Sequence, residues 1–189
     1  MAKTLGATAK AILKPALPYA GLPAIEAAML FSLAGRADAF ILLLSGLAIA
    51  FGYAAAAVDA KSRKIPNGLV LAMFAAWVLA MAPKLLLDIE AAVALLGDAA
   101  LGSAVGGGLF LLVYLISRKG LGGGDVKFMA AAGLYLGFAG ALSAMLLGTA
   151  LAALAGLALL LLRRIKLKDS MPLVPFIYIG MLITVFFGR

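Results

Sequence analysis

The chain has 189 residues, 66% of them hydrophobic, with a mean hydropathy of +1.16. Soluble domains hold roughly 45–50% apolar residues, so a water-soluble globule is excluded and the bilayer must act as solvent. The net charge is +8, and the absence of cysteine and histidine removes disulfides, thiol nucleophiles, Cys/His zinc sites and His-based triads. Acid–base chemistry is left to the eight Asp and Glu, or to Lys or Tyr. The basic residues fall in short clusters between apolar runs, the pattern of membrane loops rather than of a nucleic-acid surface. The apolar runs are rich in Ala and Leu and too long for barrel strands, so helices must satisfy the backbone.

Residues 1–14 carry Lys3, Lys10 and Lys14 and no acid. Residues 15–35 are apolar apart from Glu26 but are broken by Pro15, Pro18 and Pro23. They read as an extra span or an interfacial helix, and spanning is favoured because it would keep the three lysines inside. Residues 1–38 are thus expected to form an N-terminal extension, and 39–189 the membrane domain. Residues 39–58 make a first core span that ends at Asp59, and Pro66-Asn67-Gly68 reads as a turn. The next span is 68–83. Residues 84–98, with Lys84, Asp88, Glu90 and Asp98, read as an outer loop or surface helix. Residues 99–117 return, with Gly102 and Gly106 forming a small-residue face like that of Gly133 and Gly137 later, suited to close helix packing.

The run from Asp125 to Leu162 carries one charge, Lys127. Its length as a helix would be roughly 55 Å against a hydrocarbon core of about 30 Å. It must turn, and Gly137-Phe138-Ala139-Gly140 is the natural corner. The last span is 172–188, begun by two prolines. The expected fold is an all-α polytopic bundle with six core spans, 39–58, 68–83, 99–117, 126–137, 141–162 and 172–188, plus the segment at 15–35. The connections at 59–67, 118–125 and 163–171 hold the basic clusters, and these would face the cytoplasm of a plasma-membrane protein.

That topology sets two carboxylates at one edge of the bundle. Asp125 follows Gly122-Gly123-Gly124 and opens a helix, where an N-cap role competes with a functional one. Asp59 lies near a helix C-terminus, a place unfavourable to an anion, with an i,i+4 pair to Arg63 as its simplest structural use. Ionisable groups in spans default to functional hypotheses. A carboxylate pair that shares one proton can activate water and donate a hydrogen bond to a carbonyl, without metal or cofactor. The glycine run lacks the spacing of a phosphate-binding loop.

Two stretches resemble the type IV prepilin peptidases. Asp59-Ala-Lys61-Ser-Arg63-Lys64-Ile65-Pro66-Asn67 is similar to their first active-site motif, an aspartate and a basic run before Ile-Pro-Asn. Gly122-Gly-Gly124-Asp125-Val-Lys127-Phe128 is similar to their GxGD motif, with Phe128 where Leu is usual. Pro172-Leu-Val-Pro175-Phe176-Ile177 resembles the proline-rich start of their last helix, so the likeness covers about 40–188. Presenilin-like proteases share the GxGD pattern, but the Ile-Pro-Asn motif is not theirs.

The resemblance implies a membrane aspartic endopeptidase, with Asp59 and Asp125 as the catalytic pair. Gly122, Gly124, Lys127, Arg63, Pro66 and Asn67 would support the site. It would remove leaders from prepilin-like precursors that have a basic leader and an apolar helix. Larger members also methylate the new amino terminus and carry a Cys-rich zinc loop. This chain resembles the small tight-adherence and preflagellin forms, for which methylation is not expected. The sequence leaves open a proton-coupled transporter using the two Asp as a relay, or a non-catalytic assembly subunit. It does not indicate an oligomeric state.

Overall fold

A computed structural model describes residues 38–117, 121–164 and 171–187. The expected segment at 15–35 and the cationic Arg118, Lys119, Lys166 and Lys168 lie outside the described residues. Among the described residues all regular structure is helical: α1 Ala39–Ser62, α2 Asn67–Leu87, α3 Ile89–Ser117, α4 Gly123–Leu161 and α5 Val174–Phe187. The first four are long and apolar enough to cross a membrane, while α5 is a shorter apolar helix of 14 residues.

The helices are apolar all round, as suits rods whose outer faces meet lipid. Leu71, Phe74, Val78 and Leu79 of α2 are exposed, whereas its Met73, Trp77 and Met81 face inward. The inward stripe recurs at four-residue spacing, one helical face. The core is built mainly around α4 and α5, where Phe128, Met129, Tyr135, Ile177, Tyr178 and Met181 are buried.

Small residues bring the helices together. A Cβ on Gly102 would strike the backbone of Gly133 and Gly137, and one on Gly106 would come within 2.9 Å of the Met129 carbonyl. The two small-residue faces of the sequence therefore meet each other. α5 is seated similarly, with Gly148 against the Ile177 backbone and Gly180 against the Ala144 carbonyl.

α4 turns at the expected corner. Gly137 has φ 69° and ψ −176°, a conformation that L-residues avoid, and it breaks the helix into two arms. The break frees backbone donors, and Asp98 of α3 takes one of them: its Oδ1 accepts the Phe138 N–H at 2.9 Å. Asp98 is thus a helix cap supplied from 40 residues away in sequence.

Three boundaries sharpen or shift the sequence reading. Of the loop and the surface helix read for 84–98, the helix is found: α2 runs on through Pro83 to Leu87, and α3 starts at Ile89. The hinge is Asp88, whose Oδ1 accepts the Ala91 N–H of α3 at 3.2 Å and whose Oδ2 pairs with Lys84 of α2 at 3.0 Å. One carboxylate ends one helix and starts the next, so no loop is required, and the Lys84 ammonium holds it below the usual carboxylate range. α1 does not stop at residue 58 but continues to Ser62, ending at Arg63 in the left-handed region with φ 52°. Pro66-Asn67-Gly68 is not a free turn but the start of α2, with Pro66 as N-cap and its carbonyl accepting from Leu69 and Val70.

Candidate active site

Three helix ends meet around the two aspartates. Asp59 sits in the last turn of α1 and is buried, only 4% exposed. Its own helix end presents carbonyls, which do not compensate a carboxylate. Compensation comes from elsewhere: Oδ2 accepts the Val174 N–H at 3.2 Å, and Leu173 also donates from its backbone. These groups open α5, so the positive end of one helix faces the carboxylate that closes another. Arg63 adds a charge interaction through space. Arg63, the expected i,i+4 partner, thus contributes its charge, whereas the hydrogen bond from the Val174 N–H comes from 115 residues away.

The proline pair explains why these donors are free. Pro172 precedes Leu173 and Val174, and Pro175 follows them. The first turn of a helix has N–H groups without intrahelical acceptors, and a proline there takes nothing from the helix. Leu173 accepts back from Phe176 and Ile177, which locks the turn.

Asp125 lies in the first turn of α4, at the third helical position rather than at the N-cap itself. Gly122 is the N-cap. Oδ2 of Asp125 accepts the Gly122 N–H at 3.1 Å, while the Asp125 N–H donates to the Gly122 carbonyl at 3.1 Å. The side chain is thereby held across its own turn. A Cβ on Gly122 would lie 3.1 Å from that same Oδ2, so the glycine leaves the carboxylate room. Gly124 does different work: a Cβ there would come within 3.2 Å of Ile65, so this glycine admits the Ile-Pro-Asn stretch. Asp59 and Asp125 are near enough to interact through their charges.

A further link ties the two stretches. Lys127 Nζ donates to Asn67 Oδ1 at 3.0 Å, joining the first turn of α2 to the second turn of α4. Beside it opens an apolar cleft of about 380 Å³ lined by Val70, Leu71 and Phe74 together with Asn67 and Lys127. Sequence reasoning placed all eight of its site residues at this end of the bundle. It missed Leu173 and Val174 as donors and the pairing of Asn67 with Lys127. The prolines around 173–174 were a signal for a helix start, but nothing in them says which acceptor it faces. No group of three or more acids suited to a metal occurs among the described residues.

Residues 46–161 match the type IV leader peptidase family. Neither a curated protein nor a solved structure matches the chain.

Proposed function

Because the chain belongs to the type IV leader peptidase family, we propose that it is a membrane aspartic endopeptidase that cuts the leader from prepilin-like precursors at the cytoplasmic face of the plasma membrane. The observation that carries this reading is the convergence of Asp59 and Asp125 from separate helices at one end of the bundle, each held by backbone N–H groups. The pair holds one proton. The anionic member takes a proton from water, whose oxygen attacks the scissile carbonyl. The neutral member gives its proton to the carbonyl oxygen as the tetrahedral intermediate forms. Collapse of that intermediate breaks the C–N bond, and the proton taken from water passes to the leaving amine. Val174 and Gly122 position the carboxylates, and Gly124 keeps the Ile65 stretch against the first turn of α4. The chemistry needs no cofactor.

The substrate is a precursor with a basic leader ahead of an apolar helix. The site is edged by Lys61, Arg63 and Lys64, all exposed, so a basic leader finds no acidic groove there and is better held by lipid headgroups. The apolar cleft at Val70, Leu71 and Phe74 suits the substrate helix. The test is co-expression with a prepilin-like precursor, with cleavage read as a mobility shift. Efficient cleavage of soluble peptides that lack the apolar helix would sink the substrate assignment. The relay and passive-assembly readings gain no specific observation.

Six core spans remain the proposed topology, counting the arms of α4 separately, with 1–38 as an extension. Ser62 is exposed beyond Asp59. Ser62→Cys and Ser170→Cys are expected to react with thiol reagents from the cytoplasmic side only, and labelling of either from outside intact cells overturns the orientation. The Asn67–Lys127 link gives another expectation. Asn67→Ala and Lys127→Ala each lower cleavage several-fold, and the double variant is no worse than either alone, because both remove one interaction. Additive losses would show that the two act separately.

A further inference from the structure

Asp59 is buried, so on the peptidase reading a scissile bond carried by an apolar helix reaches it only if part of the bundle gives way. Most of the seams are poorly suited to part. α3 and α4 approach main chain to main chain at Gly102 and Gly133, and α4 and α5 do so at Gly148 and Gly180. α5 also closes on Asp59 itself through the Val174 N–H. Opening any of these would unmake the core or the surroundings of the carboxylate.

α2 is seated differently. Three of its 21 residues are buried, against eight of the 14 in α5. Its one glycine, Gly68, has nothing within 4 Å of where a Cβ would stand, so no close glycine contact draws the helix in. The buried side chains, Met73, Trp77 and Met81, begin only after the second turn, and Tyr135 of α4 fixes that depth by donating to the Met73 carbonyl. The first two turns, residues 67–72, hold no buried residue: Leu69 and Val70 are half-buried and the other four are exposed. The hydrogen bond that ties these turns to α4 runs from Lys127 to Asn67, both at the exposed surface, so opening it strands no buried polar group. The 380 Å³ cleft already lies between these turns and Lys127. Its level is that of the aspartates, because Ile65, two residues before α2, packs on Gly124 beside Asp125. Its wall of Val70, Leu71 and Phe74 is apolar and its other end, at Asn67 and Lys127, is polar, which matches an apolar helix at the point where a polar leader begins.

We propose that the substrate's apolar helix enters sideways from the bilayer between the first two turns of α2 and the start of α4, and that these two turns swing away from α4 to admit it, pivoting at the Met73–Tyr135 contact. This rests on the peptidase reading and adds to it the route and the moving part.

The full chain carries no cysteine, so Val70→Cys with Ala131→Cys places one thiol on each side of the route. Ala131 lies between Lys127 and Tyr135 on one face of α4, as Val70 lies between Asn67 and Met73 on α2. Joined by a reversible bis-thiosulfonate reagent, the double variant is expected to lose cleavage of a prepilin-like precursor by about tenfold or more and to regain it on reduction, since entry through the seam would then be limiting. Joined protein that cleaves as fast as the reduced protein overturns the proposal. Photocrosslinking locates the entry independently. Benzoylphenylalanine at Leu71 or Phe74, in the Asp125→Asn background so that the precursor stays whole, should form adducts with the precursor. At Leu154 and Leu157, similarly exposed on the second arm of α4, it should not. Equal labelling at all four positions, or none at α2, would mean that the cleft meets lipid alone and would overturn the route. If the wild type and the unjoined double variant both fail to cleave, the peptidase reading falls, and the route with it.

Discussion

Asp59→Asn and Asp125→Asn are each expected to reduce cleavage of a prepilin-like precursor by roughly 10²–10⁴-fold or more, the scale of a lost general acid or base. Asparagine keeps the shape of the side chain and an oxygen that can accept from Val174 or Gly122, so the helix ends stay where they are. What it removes is the shared proton and the charge. Glutamate tests position instead. It restores the carboxyl but moves it by one methylene, beyond the ~0.5 Å tolerance of a working site, so Asp59→Glu and Asp125→Glu should retain little activity. The wild-type rate should be bell-shaped in pH, because only the singly protonated pair works, and its two limbs belong to the pair rather than to either residue. Cleavage by either Asn variant at near wild-type rate would show that aspartate to be structural.

The second large effect concerns the seam between α3 and α4. Gly133→Leu should cost more than the ~1–3 kcal/mol of ordinary overpacking and leave little folded protein in a thermal unfolding assay in detergent. A Cβ at Gly133 meets the carbonyl and the following N–H of Gly102, which are main chain and cannot swing aside. The helices would have to part, and α4 carries Asp125 at its start, so activity should fall with the fold. Gly108→Ala is the matched comparison, since a Cβ there has nothing within 4 Å. It should be neutral or stabilising by up to about 1 kcal/mol, the ordinary gain of Ala over Gly in a helix. Equal melting temperatures for Gly133→Leu and wild type would mean that the two helices do not touch closely at Gly102 and Gly133.

Much of this architecture was readable in the residues. The corner in α4 followed from a run too long for one crossing and from glycine at Gly137, and the small-residue faces at Gly102 and Gly133 from their spacing, though not that the two would meet each other. At 84–98 the charges left a loop and a surface helix both open. A helix accepts charges at its ends, and a single carboxylate that caps one helix while pairing with the other makes a loop unnecessary. The site divides in the same way. Local rules located Asp125 at a helix start, and resemblance brought Asn67 and Lys127 to the same end of the bundle. That Asn67 bonds Lys127, that Asp98 caps Phe138, and that Val174 meets Asp59 are long-range facts. They depend on which helix lies beside which, and in an apolar chain with few polar markers many arrangements satisfy the same periodicity.

The donor from Val174 to Asp59 has a consequence for how the protein is made. Asp59 leaves the ribosome more than a hundred residues before the backbone that completes its surroundings. Until α5 enters and seats against Gly148, the carboxylate has its neighbours in α1 but not its opposing helix end. A partly inserted chain therefore carries both aspartates and still lacks the finished pair. On the proposed reading, proteolytic competence would arrive only with the last helix.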